Sequence, residues 1–182
     1  MTLAFLFSRL LDPMWVIPAV TILKAYERGF IVTLVLMVFM LGIPLTLRLF
    51  YMREYTWDIS TRADRPMAIA ILLLLGLVNI AVAALWGNSS LTALFVLYEL
   101  WMAGFLAISL FFKISGHAGG IALATGLIIL WYGWTWWPIL TLVPLIGWAR
   151  VVTKNHTIAQ VIAGTAYSFL LIIAYETWQS LL

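Results

Sequence analysis

The chain has 182 residues, of which 65% are hydrophobic and only 9% are charged. Soluble domains carry about 25% charged residues, so this composition excludes a water-covered surface over most of the chain and indicates that its solvent is lipid. The formal net charge of +3 is too small to indicate a nucleic-acid partner, and the absence of cysteine excludes disulfides and thiolate chemistry. Since a spanning helix needs about 20 apolar residues, the length predicts about six or seven hydrophobic segments in one membrane-embedded domain, residues 1–182.

Hydrophobic segments follow one another between short polar breaks, which predicts an all-α, polytopic membrane helical bundle. The first residues lack a secretory signal pattern because Arg9 and Asp12 interrupt them, and we expect an amphipathic interfacial segment there. Segment 13–26, which contains Pro18, either crosses with distortion or only enters the bilayer, and segment 138–148 is short for a crossing and is expected to be a thin or tilted helix. The predicted segments are 13–26, 30–50, 67–86, 91–112, 118–136, 138–148 and 157–177.

Three polar stretches between these segments carry most of the candidate chemistry. Two predicted helices separate the first stretch from the second, and two more separate the second from the third, so all three are predicted at one membrane face. Both histidines of the chain lie in the second and third stretches. The stretches are 58–66, which includes Arg62 and Arg65; 113–117, which includes Lys113, Ser115, Gly116 and His117; and 149–160, which includes Arg150, His156 and Gln160.

The residue types in these stretches are those of an anion site with acid–base groups. A guanidinium fits phosphate oxygens with two parallel hydrogen bonds, and Arg62, Arg65 and Arg150 are candidates for that contact. Histidines can act as nucleophile and as general acid near neutral pH. Ser115-Gly116 is predicted to open a helix, whose free N–H groups attract anions. The alternative interpretation is an ordinary set of positive loop residues.

The order and spacing of the stretches resemble the type 2 phosphatidic acid phosphatase family, membrane lipid phosphatases with a histidine nucleophile. The family pattern is K-x6-RP, then PSGH, then SR-x5-H-x3-D. This chain has Asp58-x6-Arg65-Pro66, then Ile114-Ser115-Gly116-His117, then Ala149-Arg150-x5-His156-x3-Gln160. The resemblance extends from the first polar stretch to the last predicted helix.

The resemblance implies a role for each matching residue and no metal or other cofactor. His156 would attack phosphorus and form a phosphohistidine, and His117 would protonate the leaving group. Arg65 and Arg150 would hold the phosphoryl oxygens. The Ser115 hydroxyl and the Gly116 N–H would complete the cradle.

Four positions depart from the family pattern. A carboxylate, Asp58, stands where the family has a phosphate-binding lysine, so Lys113 or Arg62 would have to supply that cation. Ile114 replaces a proline, and Ala149 replaces a serine that bonds phosphate. Gln160 replaces the aspartate that orients the nucleophile: its carbonyl can accept the same N–H but carries no negative charge. In a comparable pair such a change cost about 10⁴ in rate, largely through a wrong tautomer. These departures leave three alternatives: a slower phosphatase, a phosphatase in which other residues fill these roles, or a protein that keeps the fold without the reaction.

Two features lie outside the motifs. Glu99 and Asn79 are predicted about 20 Å from the motif face, counting 1.5 Å per residue. We expect a structural hydrogen bond between them, with proton or ion transport as the alternative. Small residues at 116, 120 and 124, and at 118, 122 and 126, predict close helix packing around the second stretch or, less favoured, a homo-oligomer interface.

The sequence therefore favours hydrolysis of a phosphomonoester or diphosphate on a lipid of the phosphatidate or polyprenyl phosphate class. The expected partners are membrane lipids and that substrate, and the expected location is a prokaryotic cell membrane. The positive-inside rule would place the arginine-rich face in the cytoplasm, but catalytic arginines confound that count. The first alternative is a non-catalytic subunit that packs within a larger membrane complex, and a small transporter ranks last.

Overall fold

A computed structural model of the chain describes residues 3–27, 29–38 and 65–181, apart from the side chains at 30, 33, 36, 37 and 65–68. Within these ranges the chain is helical and has no strand, which confirms the all-α prediction for this part of it. The elements are α1 (Leu3–Leu10), α2 (Pro13–Tyr26), α3 (Phe30–Met37), α4 (Arg65–Leu85), α5 (Ser89–Ser109), α6 (Gly116–Tyr132), a 3-10 segment (Trp134–Thr141), α7 (Leu142–Val152) and α8 (Ile158–Ser180).

Several helices are long and apolar enough to cross a bilayer, which marks the chain as a membrane protein. Among the described residues three stretches qualify: Ser89–Ser109, Trp134–Val152 and Ile158–Ser180. The pair α1 and α2, bent by 43°, makes a fourth if it is one broken span. The short segment predicted at 138–148 overlaps the 3-10 segment and α7. These two elements together form one stretch of 19 residues, long enough to cross a bilayer. The predicted number of six or seven segments stays a prediction.

Local signals explain where two of the helices begin. The Asn88 side chain accepts a hydrogen bond from the Leu91 N–H at 3.0 Å, so Asn88 caps α5. Gly87 takes a positive φ of 67° in the tight turn before it, a conformation that glycine adopts without steric cost. Thr157 caps α8 in a capping box with Gln160. The observed first residues of α5 and α8, Ser89 and Ile158, therefore lie within two residues of the predicted starts at 91 and 157.

The chain divides into two compact units, one of Met1–Val20 with Phe112–Leu182 and the other of Thr21–Phe111. In the second unit α4 and α5 pack together as a hairpin, and the buried Thr21 hydroxyl shares a 2.8 Å hydrogen bond with the Tyr98 hydroxyl. The single domain predicted over residues 1–182 stays a prediction.

The hydrogen bond predicted between Asn79 and Glu99 is not formed. Asn79 Oδ1 is buried and has no hydrogen-bond partner in the part of the chain that the structure describes. The Glu99 carboxylate lies instead against Gly76, one helical turn before Asn79. The register of the α4–α5 hairpin places Glu99 opposite a residue without a side chain, so its long side chain fits there.

In the first unit, α6 lies at the centre and packs against α7, α8 and the 3-10 segment, while α1 packs against α7. Every residue from Ala118 to Leu127 is buried, so α6 has no polar face for a sequence pattern to reveal. Small residues permit this packing: a Cβ at Gly120 would lie 2.5 Å from Pro13 Cγ. The core of this unit is formed by Ala4, Ala118, Ile121, Ala122, Val143, Ile146 and Ala149.

Candidate functional site

The second and third polar stretches meet at one end of the first unit, where α6 begins, α7 ends and α8 begins. Lys113 Nζ donates a hydrogen bond to the Asn155 carbonyl at 3.0 Å. The Ser115 N–H donates to the Gln160 carbonyl at 3.0 Å. Two residues from each stretch therefore join the stretches directly, and the candidate site is built on three helix ends.

Ser115 starts α6 and is fully buried. Its hydroxyl accepts a hydrogen bond from the Ala118 N–H at 3.3 Å, and its carbonyl accepts the Gly119 N–H at 3.0 Å. Gly116 and His117 are the first two residues of the helix, whose N–H groups point out of its end. The sequence prediction of a helix opening at Ser115-Gly116 is confirmed, and it places His117 in the first turn.

A glycine in α8 allows the two helix starts to approach. A Cβ at Gly164 would lie 2.5 Å from the Ser115 carbonyl oxygen. We expect Gly164→Ala to lower the free energy of unfolding by about 1–3 kcal/mol, because backbone atoms on both sides must separate. Denaturant unfolding of the purified protein in detergent measures this. Ala166→Leu on the exposed face of α8 is the control, and we expect a change below about 0.5 kcal/mol there. Equal effects of the two variants would contradict the close approach.

His156 lies just before the N-cap of α8 and Gln160 lies in the first turn of that helix, and their side chains meet. His156 is 7% exposed, and its Nδ1 lies 3.0 Å from Gln160 Oε1. The same oxygen accepts a hydrogen bond from the Thr157 N–H at 3.2 Å. A backbone N–H only donates, so this contact fixes the oxygen, and not the nitrogen, of the amide at this position. Since that oxygen only accepts, the neutral His156 ring carries its proton on Nδ1 and a lone pair on Nε2.

Arg150 lies in the last turn of α7 and is only 3% exposed. Its Nη1 donates a hydrogen bond to the Ser8 hydroxyl of α1 at 3.1 Å. The Arg150 carbonyl accepts N–H groups from Asn155 and His156, both at 3.1 Å, across a turn in which Lys154 has a positive φ of 58°. The backbone of Arg150 thus fixes the position of His156 directly.

His117 faces a carboxylate from the N-terminal segment. Its Nε2 lies 3.5 Å from Asp12 Oδ2, and the two side chains are 13% and 11% exposed. Sequence reasoning assigned no role at the site to Ser8 or Asp12. The signal available was that both are polar residues in an otherwise apolar stretch.

The first polar stretch contributes no described contact to this site. Asp58 and Arg62 lie outside the described residues, and Arg65 begins α4 in the second unit with its side chain outside the description. The roles predicted for Arg62 and Arg65 stay predictions. The structure brings together Lys113, Ser115, Gly116, His117, Arg150, His156 and Gln160 at the three helix ends.

No protein-family profile, no curated protein and no solved structure matches the chain. Membership in the type 2 phosphatidic acid phosphatase family stays a prediction from the motif spacing.

Proposed function

We propose that this protein is a membrane lipid phosphatase that works through a phosphohistidine intermediate. The observation that supports this most directly is the 3.0 Å contact between His156 Nδ1 and Gln160 Oε1. It leaves a lone pair on Nε2 of a histidine held at a helix start, which is the arrangement that a nitrogen nucleophile needs.

The reaction has two displacements at phosphorus. In the first, the Nε2 lone pair of His156 forms a bond to phosphorus, and the bond from phosphorus to the leaving oxygen breaks. That oxygen keeps the electron pair and takes a proton from His117. In the second, a water oxygen attacks phosphorus, the nitrogen–phosphorus bond breaks, and its electron pair returns to Nε2. The water proton returns to His117, so both histidines regain their starting states.

Positive groups at the site fit the charge that develops on the phosphoryl oxygens. The Arg150 carbonyl accepts the His156 N–H, and Lys113 donates to the Asn155 carbonyl next to His156. The start of α6 presents the N–H groups of Gly116 and His117. Fixed donors of this kind stabilise transition-state charge without reorganisation. Arg65 and Arg62 would add to them from the first polar stretch.

The position of the site along α6 supports a lipid substrate. The site lies at the start of this helix, and the largely exposed Trp134, Trp136 and Trp137 follow its other end. Because α6 has 17 residues, these ends are about 25 Å apart, close to the thickness of a bilayer core. Tryptophan favours the head-group level, so the site would lie at the opposite head-group level. We therefore propose a multi-pass protein of a prokaryotic cell membrane that hydrolyses phosphatidate or a polyprenyl phosphate or diphosphate.

A second candidate function is that of a non-catalytic subunit within a larger membrane complex. The observation that favours it is that Arg150 donates to Ser8 and His117 faces Asp12, so both groups have partners within the chain. Gln160 at the position of the family's aspartate also favours it.

Phosphate release by the purified protein separates the two candidates. We expect release from phosphatidate or from a polyprenyl phosphate or diphosphate in mixed micelles, with a short-chain phosphate hydrolysed more slowly. Absence of release from all these lipids, together with copurification of a membrane protein, would contradict the phosphatase and favour the subunit.

A further inference from the structure

The N-terminal segment contributes two side chains to the candidate site. Ser8 accepts a hydrogen bond from the Arg150 guanidinium at 3.1 Å, and Asp12 lies 3.5 Å from His117. Ser8 and Asp12 are both buried. Ala4 on the same segment belongs to the core formed with α6 and α7. The segment is therefore a packed part of the site's wall.

Asp12 is held in place independently of His117. Its Oδ1 accepts the Met14 N–H at 2.9 Å, and its carbonyl accepts N–H groups from Trp15 at 3.0 Å and Val16 at 3.1 Å. The next residue, Pro13, packs against Gly120 one turn beyond His117 on α6. These contacts fix one carboxylate oxygen at the helix start of α2 and leave Oδ2 facing the imidazole.

We propose that Asp12 is a positioning residue that sets the proton-carrying atom of the general acid His117, an assignment that rests on the proposed phosphatase function. With Oδ2 accepting the Nε2–H, the proton given to the leaving oxygen is the one on Nδ1. The neutral ring that remains keeps its proton on Nε2, so Nδ1 is ready to take the proton of the attacking water. Catalytic hydrogen bonds are often long before substrate binds, and the 3.5 Å separation agrees with this.

Asp12 also balances the loss of the carboxylate at position 160. The amide of Gln160 fixes the tautomer of His156 but brings no charge to it. The negative charge of the site lies instead on Asp12, beside the other histidine, His117. The two histidines thereby have different partners, an amide for the nucleophile and a carboxylate for the acid.

The sharpest test compares two leaving groups in Asp12→Asn. The Asn side-chain oxygen still accepts the Met14 N–H, so the cap is kept, while an amide NH2 group replaces the charged acceptor that faces His117. An alkyl phosphate needs a proton on its leaving oxygen, whereas p-nitrophenyl phosphate does not. We expect kcat to fall about 10- to 100-fold with hexyl phosphate, within the roughly 10²–10⁴-fold that a general acid supplies. With p-nitrophenyl phosphate we expect kcat to fall less than about 3-fold. The KM of Asp12→Asn for each substrate should stay within about 2-fold of the wild-type value.

Three further variants serve as comparisons for Asp12→Asn. Asp12→Ser also caps a helix and offers nothing to His117, and we expect the same pattern from it. His117→Ala should show the pattern more strongly. Glu27→Gln removes an exposed carboxylate that pairs with Lys24, and should leave both rates unchanged. Equal losses with both leaving groups in Asp12→Asn, or no loss, would overturn the role of Asp12.

A measurement without turnover tests the contact itself. The chain has two histidines, so nitrogen resonances of isotope-labelled histidine rings can be assigned with His117→Ala and His156→Ala. Asp12→Asn should move the Nε2 resonance of His117 and leave that of His156 in place. An unmoved His117 resonance overturns the contact. A wild type that releases no phosphate would contradict both the phosphatase function and the role of Asp12. An active wild type whose Asp12→Asn variant loses equal activity with both leaving groups would contradict the role of Asp12 alone.

Discussion

His156→Ala should lower phosphate release from a lipid phosphate by at least about 10⁴-fold. The variant removes the nitrogen that forms the covalent bond to phosphorus, and no other imidazole among the described residues lies in that turn of the chain. Loss of a covalent nucleophile typically costs this much or more, and the remaining rate comes from groups that hold the phosphate. Initial rates with phosphatidate or a polyprenyl phosphate measure the effect.

The fold should survive this substitution, so the loss can be assigned to chemistry. Gln160 Oε1 keeps its hydrogen bond from the Thr157 N–H, and the capping box of α8 stays closed. Lys154→Ala is the matched control, because Lys154 is exposed and lies two residues away. We expect its rate within about 3-fold of the wild type, since an exposed charge there is screened. If a folded His156→Ala protein keeps more than a hundredth of the wild-type rate, His156 is not the nucleophile.

Gln160→Glu should raise kcat by about 10- to 100-fold. A glutamate has the same length and can accept both hydrogen bonds, from His156 Nδ1 at 3.0 Å and from the Thr157 N–H at 3.2 Å. It adds a negative charge beside the ring that becomes cationic when it bonds to phosphorus. The gain should be smaller than the roughly 10⁴-fold cost known for an amide in a comparable pair, because much of that cost was a wrong tautomer and Gln160 already fixes the correct one.

Gln160→Met is the matched variant with the same length and no strong acceptor. We expect kcat to fall about 10²- to 10³-fold, because Nδ1 loses the oxygen that defines its protonation. Loss of the capping-box contact should also lower the free energy of unfolding by about 0.5–2 kcal/mol. Thermal unfolding in detergent separates the two effects. A Gln160→Glu rate at or below that of the wild type would show that the amide carries a role that a carboxylate cannot fill.

Much of the helical framework was predictable because lipid-facing helices are continuous apolar runs bounded by polar residues. The runs at 67–86 and 91–112 match α4 and α5 within a few residues. The start of α6 was predictable from Ser115, since a serine before glycine is a strong helix start signal. The run predicted at 138–148 was shorter than the observed stretch, Trp134–Val152. Its first part is a 3-10 segment, which apolar periodicity does not reveal.

Within the site, local pairs were predictable and distant ones were not. His156 and Gln160 are four residues apart, and the capping box at Thr157 turns the Gln160 side chain back toward the residues before α8, where His156 lies. Ser8 meets Arg150 across 142 residues, a contact set by how α1 packs on α7. Asp12 meets His117 across 105 positions in the chain, where the neighbouring Pro13 packs against Gly120. The Asn79–Glu99 prediction failed for a related reason, since hairpin register depends on packing at Gly76.

Rapid-quench trapping of the protein with a radiolabelled lipid phosphate can detect the phosphohistidine at His156. We expect a label on the protein that is lost in acid and kept in alkali, as for a phosphorus–nitrogen bond. The label should be present in the wild type and absent in His156→Ala. Phosphate release without such a label, or a label that persists in His156→Ala, would rule out the covalent intermediate at His156.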